Sequence, residues 1–262
     1  ENCAVRTIET QAGMVSGVIT ELGTVRANAV VCAGGAWSSA FLANLGVTFP
    51  QLLVKGTVVR TSAVSEGYAG GAGSSKFSFR RRQDGGYTLS LGDHLDHSLC
   101  ADSFRYLTDF LPALKMTWSG TRVRFDDGLI KSLFPMRKWE GDEVTPFEKT
   151  RVLNPEPNPR VVRKIQKTMA TNLPILAETQ IEEAWAGMID APPDFVPVMD
   201  EISKYKNLFL ASGFSGHGFG IGPGAGKVTA ALVQNKPVGF DLSRFRFSRF
   251  SDGSPLTLGP AL

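Results

Sequence analysis

The stretch GFSGHGFGIGPGAGK, residues 213–227, combines seven glycines and one histidine directly after the apolar run LFLA. Glycine admits positive φ and lets a ligand approach the backbone, and a helix that begins near Gly224 would direct free N–H groups at that ligand. A dinucleotide fingerprint fits poorly because Pro223 interrupts it, and a nucleophile elbow fails because GFSGH lacks the closing glycine. Two interpretations remain: a backbone that lies against an anionic ligand, or a turn that only closes a strand–helix junction.

A run of three arginines in KFSFRRR is a second candidate site. The planar guanidinium group binds both oxygens of a carboxylate. On a strand Arg80 and Arg82 share one face and Arg81 takes the other, so at most one set can face a pocket. The alternative is a charged edge strand in contact with solvent.

Histidines offer weaker candidates. The segment DHLDH, residues 93–97, has enough ligand atoms for a metal but lacks further matched ligands, so we expect a surface loop and no metal site. His217 could act as a general base, but among glycines we expect it to position its neighbours through the backbone.

The elements that would carry these residues alternate between strands and helices. VRTIET and MVSGVITE alternate apolar and polar residues around glycine turns, which predicts a β-meander that leads into the buried strand of AVVCAGG and the helix AWSSAFLANLG. Residues 50–91 read as an antiparallel sheet with a hairpin turn at Asp84-Gly85-Gly86. Helices are expected at 103–116, 160–173 and 222–235, and strands in ETQIEEAWAGMID, DFVPVMDEI and NLFLASG.

Composition narrows the function classes. The 262 residues carry a net charge of only +3, and their positive side chains form no extended stripe, which argues against nucleic-acid binding. Three widely spaced cysteines indicate reduced thiols, and Cys32 in an apolar strand is expected to be inert core. No apolar run reaches the length of a membrane span. These features favour a cytoplasmic protein, or one peripheral to the inner membrane.

Four segments in the same order resemble one family. AVVCAGGAWSS and LFLASGFSGHGFGIGPGAGK are similar to two signatures of the D-amino-acid-oxidase-like family of FAD-dependent amine and amino-acid oxidoreductases. GMVSGVITELGTVRANAVV resembles the meander of that family, and WAGMIDAPPDFVPVMDEI resembles its tryptophan-containing segment. The resemblance implies an α/β fold, α+β overall: part of an FAD-binding Rossmann-like domain with a β-meander (1–50 and 200–262) and a substrate domain with an antiparallel sheet (51–199).

The resemblance also implies FAD as the cofactor and a set of residues near it. The histidine-glycine stretch is expected to run along the flavin, and the following helix to point at the edge that becomes negative on reduction. By this resemblance, the cofactor-binding residues are Val5, Ala33, Gly34, Trp37, Gly213, Ser215, Gly216, His217, Gly218, Phe219, Gly220 and Ile221.

Two departures from the family pattern bear on function. The family's N-terminal dinucleotide fingerprint is absent, so we expect an upstream segment or a second chain to carry it. Where several relatives have an arginine for the substrate carboxylate, this sequence has Met188, with Asp190 as the nearest ionisable group. The carboxylate clamp must then lie elsewhere.

The implied reaction is oxidation of an amine or amino acid by hydride transfer to flavin N5, giving an imine that hydrolyses to an oxo acid or aldehyde. The residues we assign to catalysis are Arg80 and Arg82 as the carboxylate clamp and Trp185 as a wall of the substrate pocket, although Trp185 could equally be plain core. The alternative function is a non-catalytic subunit or remnant that retains the fold for assembly.

Overall fold

The computed structural model describes residues 1–65, 67–126 and 138–260. In chain order the strands are β1 (Val5–Gln11), β2 (Met14–Thr20), β3 (Gly23–Arg26), β4 (Val30–Cys32), β5 (Leu52–Thr61), β6 (Gly71–Gly73), β7 (Phe77–Arg81), β8 (Tyr87–Leu91), β9 (Leu95–Ser98), β10 (Thr121–Arg124), β11 (Ile181–Ala191), β12 (Val198–Glu201) and β13 (Leu208–Ser212). The described α-helices are α1 (Ser38–Asn44), α2 (Ala101–Arg105), α3 (Leu107–Thr117), α4 (Pro146–Lys149), α5 (Pro159–Asn172) and α6 (Gly218–Val233). Short 3-10 helices cover Gly35–Trp37, Pro174–Leu176, Ser243–Phe245 and Phe247–Phe250.

The meander β1–β3 forms as the alternation predicts. Its strands pair in antiparallel order, and Gly13 at φ +78° and Gly23 at φ +122° occupy its turns. Positive φ is accessible to glycine without the steric cost that a Cβ brings, which explains both positions.

A second sheet has the order β12–β13–β4. β13 runs parallel to β4 and antiparallel to β12, and among the described residues the other edge of β4 pairs with no strand. The core between this sheet, the meander and α1 contains Leu42, Phe49, Val198, Leu208 and Leu210, each at most 2% exposed. Burial of each such side chain contributes about 1.5–3 kcal/mol.

The third sheet has seven strands centred on β5. β11 pairs with one edge of β5 over almost its whole length, while β8 and β9 pair with the other edge. β7 and β6 continue beyond β8, and β10 lies parallel to β9. α5 covers one face of this sheet through Val161, Ile165 and Met169.

Two of the predicted elements that the structure corrects lie between residues 93 and 117. The helix expected at 103–116 is interrupted at Tyr106, where the backbone leaves helical geometry (φ −102°, ψ 15°) and separates α2 from α3. The surface loop expected at 93–97 is wrong, because residues from Leu95 form β9 and Asp96 and His97 are buried. The segment pairs with β5 and β10, and these long-range partners override its polar composition.

Candidate functional site

Two glycine turns lie at the carboxyl end of the parallel strands β4 and β13. Residues 33–35 follow β4 and residues 213–217 follow β13, and the register Leu208–Val30 and Leu210–Cys32 brings the two strand ends level. In open α/β sheets ligands bind at this edge, outside the carboxyl ends of the strands.

The second turn has an unusual backbone. Gly213, Ser215 and Gly216 all have positive φ, at +80°, +51° and +78°. A non-glycine residue in this conformation is strained by about 1–3 kcal/mol and persists where its surroundings fix it. Ser215 is 1% exposed, its N–H donates to the carbonyl of Asp190 at 3.1 Å, and its hydroxyl donates to the carbonyl of Gly213 at 3.2 Å.

Helix α6 begins at Gly218, so the expected start at 222 is wrong. His217 is the N-cap residue, and its carbonyl accepts hydrogen bonds from the N–H groups of Gly220 and Ile221. Glycine and proline have low helix propensity, which makes this run look like a loop. The helix forms nevertheless because Ala225 and Val228 are buried against Met199 and neighbouring apolar side chains.

The outer surface of α6 is open to a ligand or partner. A Cβ placed at Gly220, Gly222, Gly224 or Gly226 would meet no atom within 4 Å outside the helix's own backbone. The first N–H groups of the helix have no intrahelical partner, and the dipole places partial positive charge at that end.

Three clefts surround these turns. One of about 450 Å³ is lined by residues that include Val5, Ala33, Gly34 and Trp37. A second of about 550 Å³ shares Ala33 with the first and continues along Gly218, Gly222 and Gly226 of α6. A third of about 540 Å³ lies between Gly216, Gly218 and Phe219 on one side and Met188, Ile189 and Asp190 of β11 on the other.

The structure therefore brings most of the predicted cofactor-binding residues around these clefts. Gly213 and Ser215 are buried within the turn itself, while Gly220 and Ile221 are exposed on the first turns of α6. The ring of Phe219 is fully exposed beside the third cleft.

A buried polar cluster beneath the turns was not predicted. One carboxylate oxygen of Asp190 accepts hydrogen bonds from the Gly213 N–H at 2.7 Å, the Ser212 hydroxyl at 3.2 Å and the Gln51 amide at 3.3 Å. Burial raises the pKa of Asp190, and the hydrogen bonds from Gly213 and Ser212 oppose that rise. The sequence showed Asp190 as an ionisable residue next to the site, but no spacing rule connects it to Gln51.

The arginine strand lies in the third sheet, three strands from β11. β6 pairs with the far edge of β7, so the alternative of an edge strand is wrong. Arg82 donates to Asp84 at 2.9 Å and to Thr88 at 3.4 Å. Arg80 is exposed and makes no ion pair within the described part of the chain. Arg81 contacts the ring of Tyr87 and the carbonyl of Val64.

Register places Trp185 on the same sheet face as Arg80. Arg80 pairs with Thr88, Thr88 with Arg60, and Arg60 with Glu183, and directly paired residues share a face. Trp185 follows Glu183 by two positions and is half-buried on that face. Ile189 is also on this face, within 4 Å of the Cβ position of Gly216.

The two histidines of DHLDH contact different groups of the protein. His97 contacts the carbonyl of Leu53 at 2.8 Å and the hydroxyl of Ser103 at 2.9 Å, and His94 lies 3.4 Å from Asp96. Over residues 1–65, 67–126 and 138–260, no group of three or more His, Cys, Asp or Glu could hold a metal ion.

In the same residues, no helix is both long and apolar enough to cross a membrane.

Comparison with known proteins decides the family. The model of the FAD dependent oxidoreductase family matches residues 1–232. The chain belongs to this family. The resemblance seen in the sequence and the α/β fold class are thereby confirmed, and FAD is the cofactor of the family and its relatives.

Individual relatives are oxidases, dehydrogenases and deaminases. The chain is 28% identical over 253 residues to the peroxisomal sarcosine oxidase of Mus musculus, covering 94% of this chain and 54% of that protein. It is 24% identical over 250 residues to a D-amino acid dehydrogenase of Bradyrhizobium diazoefficiens, covering 95% and 47%. The structure of the L-amino acid deaminase of Proteus myxofaciens in complex with anthranilate matches with a TM-score of 0.89 and 31% identity, covering 95% of this chain and 56% of that one. The chain thus spans about half the length of these relatives.

The residues present fit FAD. The first and second clefts share Ala33, and the second and third share Gly218, so the clefts adjoin one another around the turns. The space beside the outer glycines of α6 is open, and the N–H groups at the amino end of a helix suit an electron-rich edge of a ligand. Gly34, Gly216 and Gly218 would lie against the cofactor, with Trp37 and Phe219 at either end of the clefts.

Proposed function

We propose that this chain is the C-terminal portion of a FAD-dependent enzyme that oxidises an amino acid to an imine, which hydrolyses to an oxo acid. The observation that carries the proposal is the third cleft, where the glycine turn after β13 faces Met188, Ile189 and Asp190 of β11. A flat cofactor against the turn and a substrate against β11 would meet there. FAD, when bound, supplies the two-electron acceptor for the hydride that leaves the substrate's α-carbon.

An L-amino acid is the substrate class we propose to test first. Two structures of L-amino acid deaminases from Proteus match with TM-scores of 0.89 and 0.87 at 31% and 30% identity, and a third, with the specific insertion sequence deleted, matches with 0.65 at 23%. The sarcosine oxidase and D-amino acid dehydrogenase relatives make sarcosine and D-amino acids the competing candidates.

The protein's own contribution is to orient the substrate and to exclude water from it. Trp185 and Ile189 present apolar surface on one face of the seven-stranded sheet, which supports a role for Trp185 as a pocket wall. Arg80 lies on that same face and makes no ion pair in the described part of the chain, so it could bind the substrate carboxylate, and Arg82 could assist it if its contact with Asp84 is released.

We also propose that an upstream segment of this protein, or a second chain, supplies the dinucleotide fingerprint and completes the site. The edge of β4 that pairs with no described strand, and the neighbouring cleft along Gly222 and Gly226, support this proposal. The division into an FAD-binding part (1–50 and 200–262) and a substrate part (51–199) stays a proposal, as does a location in the cytoplasm or at the inner membrane surface.

Anaerobic reduction of the purified holoprotein tests the function. We expect visible flavin absorbance, and we expect at least one L-amino acid to bleach it when L-amino acids, D-amino acids, sarcosine, glycine and simple amines are added separately. Bleaching only by D-amino acids, by sarcosine or by amines would redirect the substrate assignment. A holoprotein whose flavin none of these compounds reduces would support the non-catalytic alternative, and a colourless protein that includes the proposed upstream segment or second chain would contradict the cofactor assignment.

A further inference from the structure

Gln51 lies at the centre of a set of hydrogen bonds that joins the two glycine turns. Its side chain is 3% exposed, and its amide nitrogen donates to the carbonyl of Gly35 at 3.0 Å and to the carboxylate of Asp190 at 3.3 Å. Its amide oxygen accepts the N–H of Ser39 at 3.1 Å. The amide is therefore bonded at both its oxygen and its nitrogen, as a buried polar group requires.

Asp190 holds the other turn from two directions. Its carboxylate accepts the N–H of Gly213, and its own carbonyl accepts the N–H of Ser215. Ser212, which is fully buried, contacts the same carboxylate oxygen and lies 3.3 Å from the carbonyl of Gly35. Asp190 belongs to β11, so these contacts tie the substrate-side strand to both turns.

We propose that Asp190 and Gln51 are positioning residues that hold the glycine turns 33–35 and 213–216 in one fixed geometry relative to β11. The proposal rests on the proposed function, because the turns are the surface on which FAD would lie. Neither residue needs to touch FAD to act. Asp190 holds the strained turn around Ser215 through hydrogen bonds, and Gln51 links Asp190 to the turn around Gly35.

Geometry favours this role over a purely structural one. Gln51 and Asp190 are 139 positions apart in sequence, yet they bond to each other and their other hydrogen bonds reach backbone atoms of both turns, at Gly35, Gly213 and Ser215. Charge-assisted hydrogen bonds to buried backbone groups are among the stronger ones in proteins, and their loss leaves an unpaired N–H.

Asp194 provides a matched control. It is an aspartate four residues after Asp190 and is 2% exposed, but its carboxylate pairs with Arg249 at 2.8 Å and 3.1 Å and forms no described hydrogen bond with either turn. Asp194→Ala should therefore lower the melting temperature through an unpaired buried guanidinium without a specific effect on the turns.

Hydrogen exchange of the holoprotein and of the same protein after removal of FAD tests the coupling. In Asp190→Ala we expect exchange at Gly213 and Ser215 to rise about tenfold or more, and exchange at Ser39 to rise with it although no bond of Ser39 is removed. Gln51→Leu should show the reciprocal effect at Gly213. Asp190→Asn retains an acceptor for Gly213 and should be intermediate.

The flavin spectrum gives a second readout that a general loss of stability would not move. We expect Asp190→Ala to change the visible circular dichroism of the bound flavin and to speed its release, and Asp194→Ala to leave both unchanged. The inference is overturned if exchange at Ser39 is unaffected by Asp190→Ala, or if the two alanine variants alter both segments and the spectrum equally. Absence of flavin in the unaltered protein together with its proposed upstream segment or second chain would instead overturn the proposed function, and the exchange data would still decide the coupling.

Discussion

Among single residues, Arg80 carries the most specific functional prediction. It lies on the sheet face of Trp185 and makes no ion pair in the part of the chain that the structure describes. Loss of a bidentate carboxylate contact removes transition-state binding, so Arg80→Met should lower kcat/KM for an amino acid by about a hundredfold and leave a simple amine little changed. Arg82→Met should have a smaller effect because Asp84 already binds that guanidinium.

Steady-state kinetics with an amino acid and an amine measures this difference. Arg26→Met is the control, since Arg26 is exposed on β3 of the meander. Equal losses for both substrates, or no loss, would place the carboxylate clamp elsewhere.

Glu148 carries a prediction about pH. The hydrogen bond from Arg6, followed by the N–H of Thr145, lowers the pKa of Glu148 from 4.5 to about 2. Because the folded-state pKa is below the unfolded value, the stabilisation is present above pH 4.5 and is lost as the pH falls toward 2. Glu148→Gln should lower stability at neutral pH and flatten the acid side of the stability profile.

Chemical denaturation at several pH values between 2 and 7 measures that profile. Glu156→Gln serves as the control, because Glu156 is exposed and its carboxylate has no bonding partner among residues 1–65, 67–126 and 138–260. An unchanged acid slope in Glu148→Gln would show that this contact does not control acid unfolding.

At the scale of elements, α6 offers a test of why its glycines are there. A Cβ at Gly226 or Gly224 would meet no atom within 4 Å outside the helix's own backbone, and Gly226 lines the second cleft whereas Gly224 does not. Leucine has a helix propensity higher than glycine by roughly 0.5–1 kcal/mol, so neither Gly226→Leu nor Gly224→Leu should destabilise the helix. We expect only Gly226→Leu to lower the FAD content of the protein, because its side chain fills the cleft where we propose the upstream segment packs.

Thermal unfolding and the ratio of bound flavin to protein would be compared for the two leucine variants. If both retain full flavin content, the second cleft is not occupied in the assembled enzyme. If both lose it equally, the effect comes from the helix and not from the cleft.

For the whole molecule, the missing fingerprint leads to a prediction about cofactor affinity. The sequence lacks the family's N-terminal dinucleotide fingerprint, whose glycine turn holds the pyrophosphate, and β4 has an unpaired edge in the described structure. Residues 1–262 alone should therefore bind FAD weakly, and binding should become tight when the proposed upstream segment or second chain is present. Titration of flavin fluorescence with and without that segment measures the difference, and submicromolar binding by residues 1–262 alone would contradict it.

Much of the architecture follows from local patterns in the sequence. Alternation of apolar and polar residues around Gly13 predicts the first hairpin of the meander, and the spacing of Trp37, Phe41 and Leu45 predicts α1. The two glycine segments indicated the family and the strand–helix turns where the candidate site lies. These features depend on residues close in sequence, so the period of the pattern is enough to predict them.

Other features depend on contacts that only the tertiary structure creates. Helix α6 begins at Gly218 because burial of Ala225 and Val228 outweighs the poor propensity of the glycines, and His97 lies on a buried strand because β9 pairs with distant strands. The cluster of Gln51 and Asp190 joins residues 139 positions apart through hydrogen bonds that no local spacing encodes. The sequence by itself thus determined which backbone could approach a cofactor, and the tertiary structure decided which side chains hold that backbone in place.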